Sequence, residues 1–282
     1  MTSEFLSIPQ KMIAVIGASG CLGTALMARF GDRAVGFGWR DLEKAVLLLQ
    51  SGSYDVVFAC GLTNPSHPAV DLYEANCALP RHFIEATADN DRLRYITVGT
   101  MMELFPGIVS SNTYVKSKYD LSEWIRKESQ KTGMRERLLH LRLHTLYGGR
   151  PRDHLFLGQI ASALKSGLVF NMSDGAQLRE YHHVDDMAVS FQALSGVKWE
   201  FSGSTIEINS GAPVRLVDLA WAVFKAFGKE RLLNVGVIKS PGFENREHIF
   251  PRSQRWLLGE PRDTVSGVIE WLKAEVGAAE PG

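Results

Sequence analysis

The chain of 282 residues is poor in cysteine. It has three, Cys21, Cys60 and Cys77, and no CxxC pair. So odd and sparse a set excludes a disulfide framework and a cysteine zinc site, and reads as reduced thiols in a cytoplasmic protein. Neither sign of charge is in excess, with 31 Lys+Arg against 31 Asp+Glu. No basic surface for nucleic acid or membrane is therefore expected. Long apolar runs are missing too. The longest, Ala45–Leu49 and Val56–Gly61, are far too short to cross a bilayer. The opening MTSEFLSIPQK lacks a basic region followed by an apolar one, so no leader is expected. No internal repeat occurs and no metal is expected. What remains, 45% hydrophobic and 22% charged, is an ordinary soluble composition for one large domain or two unequal ones.

The pattern within it alternates. Met12–Ile16, Ala34–Trp39, Tyr54–Cys60, Leu93–Val98 and Leu138–Leu143 read as strands. Cys21–Phe30, Asp41–Gln50, Ala69–Asp89 and Tyr114–Lys131 have helical spacing, with Asp41 as a predicted N-cap. Strands alternating with helices predict an α/β chain with a parallel sheet, whose ligands sit at the carboxyl ends of the strands. Only one helix fits between the second and third strands. One βα unit is thus expected to be reduced, leaving about six strands. Past residue 150 the pattern loosens. A loop and helix fill Pro151–Gly167, and helices follow at Asp185–Leu194, Leu216–Phe227 and Thr264–Glu275, with a short strand at Thr205–Asn209. We expect residues 1–150, with 180–210 returning to them, to form a dinucleotide-binding domain. Residues 151–179 and 211–282 would form a smaller substrate lobe.

Gly17-Ala18-Ser19-Gly20-Cys21-Leu22-Gly23 joins the first strand to the first helix. Glycines there allow a tight turn, and the helix start offers free N–H groups to a pyrophosphate. The second strand closes on Trp39-Arg40-Asp41. An acidic residue at that tip would bind ribose hydroxyls, whereas Arg40 suits a 2′-phosphate, so NADP(H) is the expected cofactor. Trp39 would lie beside the adenine. Tyr114 and Lys118, four apart on a helix, share a face. The ammonium is expected to lower the phenol's pKa and make a proton donor or acceptor. Thr100, at the tip of the fourth strand, precedes them.

Together these motifs resemble the extended short-chain dehydrogenase/reductases that act on nucleotide sugars. GASGCLG is similar to the family's cofactor loop, FACGLTNP to its fourth-strand motif, and Asn76 in YEANCALP to the asparagine of the following helix. LRLHTLYGG, SDGAQLREYHHVDD, IEINSGAPVRLVDLA and LLGEPR resemble its later landmarks. The resemblance implies a Rossmann-like doubly wound sheet, and a homodimer. It implies Thr100, Tyr114 and Lys118 as the catalytic set. It implies contacts to the dinucleotide from Gly17, Ser19, Gly20, Cys21, Leu22, Gly23, Trp39, Arg40, Cys60, Gly61, Leu62 and Asn76, besides Tyr114 and Lys118. For the substrate, Arg179 and Arg246 become candidates for the pyrophosphate, with Glu180 or Asp186 as alternative partners of Arg179.

Met101 and Met102 stand where the family's dehydratases keep an acidic pair and its fucose synthases a thiol. Thioethers exchange no protons. They either wall the substrate or fill the core. His154 either touches substrate or is structural. The expected reaction is NADPH-dependent reduction of a nucleotide-linked 4-keto-6-deoxy sugar, with the proton from Tyr114. An NAD-dependent 4-epimerase and a non-catalytic NADP-binding regulator are the alternatives.

Overall fold

The computed structural model describes residues 11–199, 204–240, 244–253, 257 and 260–277. The N-terminal stretch read for a leader, and Leu258-Gly259 of the LLGEPR element, lie outside them. The strands, in chain order, are β1 (Met12–Ile16), β2 (Ala34–Phe37), β3 (Tyr54–Phe58), β4 (Arg94–Thr100), β5 (Leu138–Leu143), β6 (Thr145–Tyr147), β7 (Phe170–Met172), β8 (Leu178–Arg179), β9 (Tyr181–His183), β10 (Thr205–Ile208), β11 (Val214–Arg215) and β12 (Leu233–Val235). The helices are α1 (Cys21–Phe30), α2 (Leu42–Leu49), α3 (Ala69–Tyr73), α4 (Leu79–Thr87), α5 (Pro106–Ser111), α6 (Thr113–Glu128), α7 (Phe156–Ser166), α8 (Val184–Ser195), α9 (Leu216–Ala226) and α10 (Thr264–Gly277). None of the described helices is long and apolar enough to cross a membrane.

Six strands form one sheet in the order β10-β5-β4-β3-β1-β2, and every neighbouring pair is parallel. β2 is an edge strand. The single helix α2 carries the chain back from it to β3 on the far side of β1, so one βα unit of the first half is absent, as the spacing required. Helices cover both faces, which is why these strands are largely apolar and why the polar residues in them, such as Asp55 and His140, are buried. On one face Leu22, Leu26 and Phe30 of α1 meet Met187, Phe191 and Leu194 of α8. On the other, Ala45, Leu49, Phe83, Ile84, Leu121 and Ile125 of α2, α4 and α6 pack against Val56, Phe58 and Tyr95. A third core gathers Leu157, Ile160 and Leu164 of α7, Leu219, Val223 and Phe224 of α9, and Val268 and Leu272 of α10. It lies apart from the sheet and is joined to it by the β6–β9 pair.

Two local readings are corrected. Ala69–Asp89 is not one regular helix, because a π-helical turn, Glu74–Ala78, separates α3 from α4. Such a turn keeps the apolar spacing on either side, so periodicity does not reveal it, and it often marks a functional position. Asp41 stands at the N-cap of α2, but its side chain makes no capping bond. Its carboxylate instead holds the Lys44 ammonium at 2.9 Å.

Candidate active site

The glycine loop behaves as its spacing requires. Gly20 caps α1, and the first intrahelical bond runs from Thr24 N to Gly20 O. The N–H groups of Cys21, Leu22 and Gly23 precede it and have no helical acceptor. A Cβ at Gly23 would lie 2.1 Å from Gly17 O, so only glycine lets the helix cross the strand end this closely. The Leu22 side chain is buried in the core, which leaves only its main chain to offer a ligand. Cys21 Sγ donates to Gly148 O at 2.7 Å, tying the loop to the end of β6. At the β2 tip the Arg40 guanidinium lies over the Trp39 ring, 4.4 Å from its centroid. Asp41 is engaged by Lys44, and Arg40 has no ion pair among the described residues.

The β3 tip is organised by Asn76. Its Oδ1 accepts from Leu62 N at 3.0 Å, and its Nδ2 donates to Leu62 O at 2.9 Å and to Ser117 Oγ at 3.0 Å. Asn76 was expected to touch the dinucleotide. It is buried, and its bonds to Leu62 and Ser117 pin the 60–62 loop to α6. Cys60 beside it is a thiol that burial pushes up, so it stays protonated.

Thr100 ends β4 and starts a short 3-10 turn, Met101–Leu104. Its Oγ1 accepts from Met102 N at 3.3 Å, which leaves the hydroxyl proton free to donate. α6 starts at Asn112, whose side chain accepts from Val115 N. Tyr114 is half-buried in the first turn of α6. Lys118, one turn on, is 6% exposed, and its Nζ donates to Val98 O at 3.0 Å. Burial holds the ammonium below its usual range, opposed by Cys60 and Glu103. The expected lowering of the tyrosine is overturned. Burial and the Glu103 carboxylate push Tyr114 up to about 12, against a smaller pull from Arg152. Desolvation disfavours the phenolate, and the nearby carboxylate adds to it.

Met101 is 4% exposed and fills the interior, whereas Met102 is half-buried. His154 is exposed, with Nε2 3.0 Å from Thr63 Oγ1, and Arg152 Nη1 donates to the same hydroxyl at 3.4 Å. Arg179 pairs with Glu244 at 2.5 Å, not with Glu180 or Asp186. Glu180 is already taken by Ser210 N and Oγ and by His182. Asp186 is held by Arg262. Arg246 pairs with Asp174 at 3.1 Å. His144, at the β5 end, hydrogen-bonds Asn209 Oδ1 at 2.9 Å, and burial takes its pKa down to about 4, so it is neutral.

Two residues near Tyr114 escaped sequence reasoning. Arg152 carries no motif of its own. Glu103 does, because Thr100-x-x-Glu103 is the S/T-x-x-E pattern of a capping box, and the box forms.

The profile of the NAD dependent epimerase/dehydratase family matches residues 13–194, from β1 through most of α8. The chain belongs to that family. No curated protein matches it by sequence. Solved structures match along almost the whole length. A UDP-N-acetylglucosamine 4-epimerase from Methanobrevibacter ruminantium M1 has a TM-score of 0.77 at 13% identity, covering 96% of this chain and 98% of its own. A UDP-glucuronic acid 4-epimerase from Bacillus cereus has 0.76 at 17%, covering 95% and 99%. A double mutant of a dTDP-glucose 4,6-dehydratase, DesIV, from Streptomyces venezuelae has 0.77 at 15%, covering 94% and 98%. At such identities the likeness to these members is one of fold.

Proposed function

We propose that this member of the epimerase/dehydratase family reduces the keto group of a nucleotide-linked 4-keto-6-deoxy sugar with NADPH. The observation that carries the reading is the Met101-Met102 pair directly after Thr100, where neither side chain can exchange a proton, so that the Tyr114 phenol is left as the donor. A reduction begins with a ketone and needs a proton donor. An epimerisation begins with an alcohol and needs a base. The solved structures of the fold include complexes with UDP-glucuronic acid and NAD and with UDP-glucose and NAD, which supports a nicotinamide dinucleotide and a nucleotide sugar as the ligands.

Residues fit the dinucleotide at three places. The N–H groups of Cys21, Leu22 and Gly23 suit a pyrophosphate. Arg40, stacked on Trp39 and without an ion pair among the described residues, suits a 2′-phosphate. Lys118 suits a ribose hydroxyl. Bound there, the cofactor supplies the hydride, and everything else falls to the chain. Thr100 donates its free hydroxyl proton to the carbonyl oxygen, and Tyr114 delivers its proton to that oxygen as negative charge develops. Half-buried Met102 beside Thr100 gives the sugar an apolar wall. It offers no proton relay, which speaks against dehydration.

The test is a panel of nucleotide-linked 4-keto sugars, with NADPH oxidation followed and products assigned by NMR. One NADPH consumed per alcohol formed supports the reading. Interconversion of 4-epimers without net consumption would replace it with the epimerase. Tight NADPH binding without turnover would point to a non-catalytic protein. We further expect Arg40→Ala to weaken NADPH about 10- to 100-fold, the range for charged hydrogen bonds, and to leave NADH unchanged. Fluorescence titration with both dinucleotides checks it, and an equal loss for NADH would remove Arg40 from the phosphate site.

A further inference from the structure

Beneath the Thr100 turn lies a buried charged cluster that the reaction above does not use. Glu103 is 3% exposed, and its Oε1 accepts from Thr100 N at 2.7 Å. Its Oε2 lies 3.2 Å from His140 Nε2 and accepts from Arg142 Nε at 3.1 Å. His140, fully buried in β5, is fixed at its other nitrogen by Thr97 Oγ1 at 2.8 Å. Arg142 is in turn held by Ser122 Oγ at 3.1 Å and Glu207 Oε1 at 3.4 Å. The backbone makes room for the cluster. A Cβ at Gly99 would lie 2.2 Å from both Glu103 Oε1 and His140 Nε2, so any side chain there would displace it.

We propose that Glu103 is a positioning residue of the active site. Its buried carboxylate, braced by His140 and Arg142, locks the turn that aims Thr100 and sets a fixed negative charge against the Tyr114–Lys118 pair. The geometry has a cost that needs a reason. A buried carboxylate is unfavourable unless it is paired, and an apolar residue would close a 3-10 turn more cheaply. Burial alone would raise this carboxyl, but His140, the Thr100 N–H and Arg142 together outweigh it and hold Glu103 ionised. The charge then works in opposite senses on its two neighbours. It favours the ammonium of Lys118 and disfavours the phenolate of Tyr114. The charges acting on Tyr114 are those of Glu103 from the turn after β4 and Arg152 from the loop before α7, with Lys118 one turn on along its own helix. Those facing Glu103 are His140 and Arg142 from β5 and Lys118 from α6. Glu207 of β10 faces only Arg142, and the Cys60 and Cys77 thiols flank Lys118.

The inference rests on Tyr114 as the proton donor of the proposed reduction, but its first test needs no substrate. In protein labelled with 13C at tyrosine Cζ, the Tyr114 resonance is identified by its loss in Tyr114→Phe. In the wild type it should stay at the phenol position up to pH 10.5. In Glu103→Gln, which keeps the hydrogen-bond acceptor and removes the charge, it should begin to titrate one to two units lower, the shift of roughly one charge removed at short range. Where Glu103→Gln fails to fold, the double variant Glu103→Gln/Arg142→Met removes both charges of the ion pair and should give the same shift. The second test uses a substrate from the panel above. The alkaline limb of kcat/KM should move down by the same one to two units in Glu103→Gln while the plateau falls less than tenfold. An unchanged Tyr114 resonance would overturn the proposal whatever the enzyme turns over. A shifted resonance with no turnover across the panel would leave Glu103 in its role and remove the reductase instead.

Discussion

Replacing Tyr114 with Phe should lower kcat for a keto sugar by about a thousandfold and leave NADPH binding intact. Proton transfer by one positioned side chain contributes roughly 10²–10⁴ to a rate. Phe keeps the ring that fills the first turn of α6 and removes only the acidic hydroxyl. Lys118 keeps its bond to Val98 O, and Asn76 keeps its hold on Leu62 and Ser117. The cofactor cradle is therefore undisturbed. kcat and kcat/KM should fall together, the signature of an interaction made only in the transition state. Thr100→Val should cost less, about 10- to 100-fold, because it removes one hydrogen bond to the reacting oxygen. The pH behaviour follows from the sign of the shift. The active form is the phenol, and its pKa is pushed up to about 12. The donor is therefore loaded through neutral and mildly alkaline pH and is lost only as pH rises toward that value. Stopped-flow measurement of NADPH oxidation in single turnovers isolates the step. A Tyr114→Phe protein that keeps its rate within tenfold would mean that the proton comes from another group.

Much of the sheet was legible because its signals are local. The apolar runs are short and bounded by glycine or polar turns, and the short spacing between Phe37 and Tyr54 admits one helix and no more. The glycine loop was legible for the same reason. What stayed hidden depends on partners distant in sequence. Arg179 finds Glu244, 65 residues on, because Glu180 is spent on Ser210. Asn76 lies in a π-helical turn and bonds Leu62 and Ser117, 14 and 41 residues away in the chain. The i,i+4 pattern shows the lysine but neither the burial nor the Glu103 charge, which push the tyrosine up. Glu103 was within reach, three residues after Thr100. The charge lies one position beyond the two methionines, in the S/T-x-x-E pattern of a capping box.

The ion pair between Asp55 and Arg94 shows the same limit and yields the largest expected loss of stability. The two are register partners on β3 and β4, Asp55 wholly buried and Arg94 8% exposed. Arg94 grips the carboxylate with two bonds, Nε to Oδ1 at 2.7 Å and Nη2 to Oδ2 at 2.6 Å. Its remaining donors reach Val197 O and Ser195 O, and its plane lies over Trp199, 4.2 Å from the ring centroid. One guanidinium thus ties two central strands to the segment that follows α8. Asp55→Ala would leave that cation buried without its counter-charge, at a cost of about 3–5 kcal/mol. For a chain of this size the thermal midpoint should fall by roughly 10 °C. Asp55→Leu/Arg94→Met should recover part of the loss, since it removes both charges and leaves only the two carbonyls unpaired. The pair sits at the amino end of the strands, whereas Gly61 and Thr100 follow their carboxyl ends. NADPH affinity measured well below the midpoint should therefore match the wild type. A double variant as unstable as Asp55→Ala would show that the bonds to Ser195 and Val197, rather than the ion pair, hold this end of the sheet.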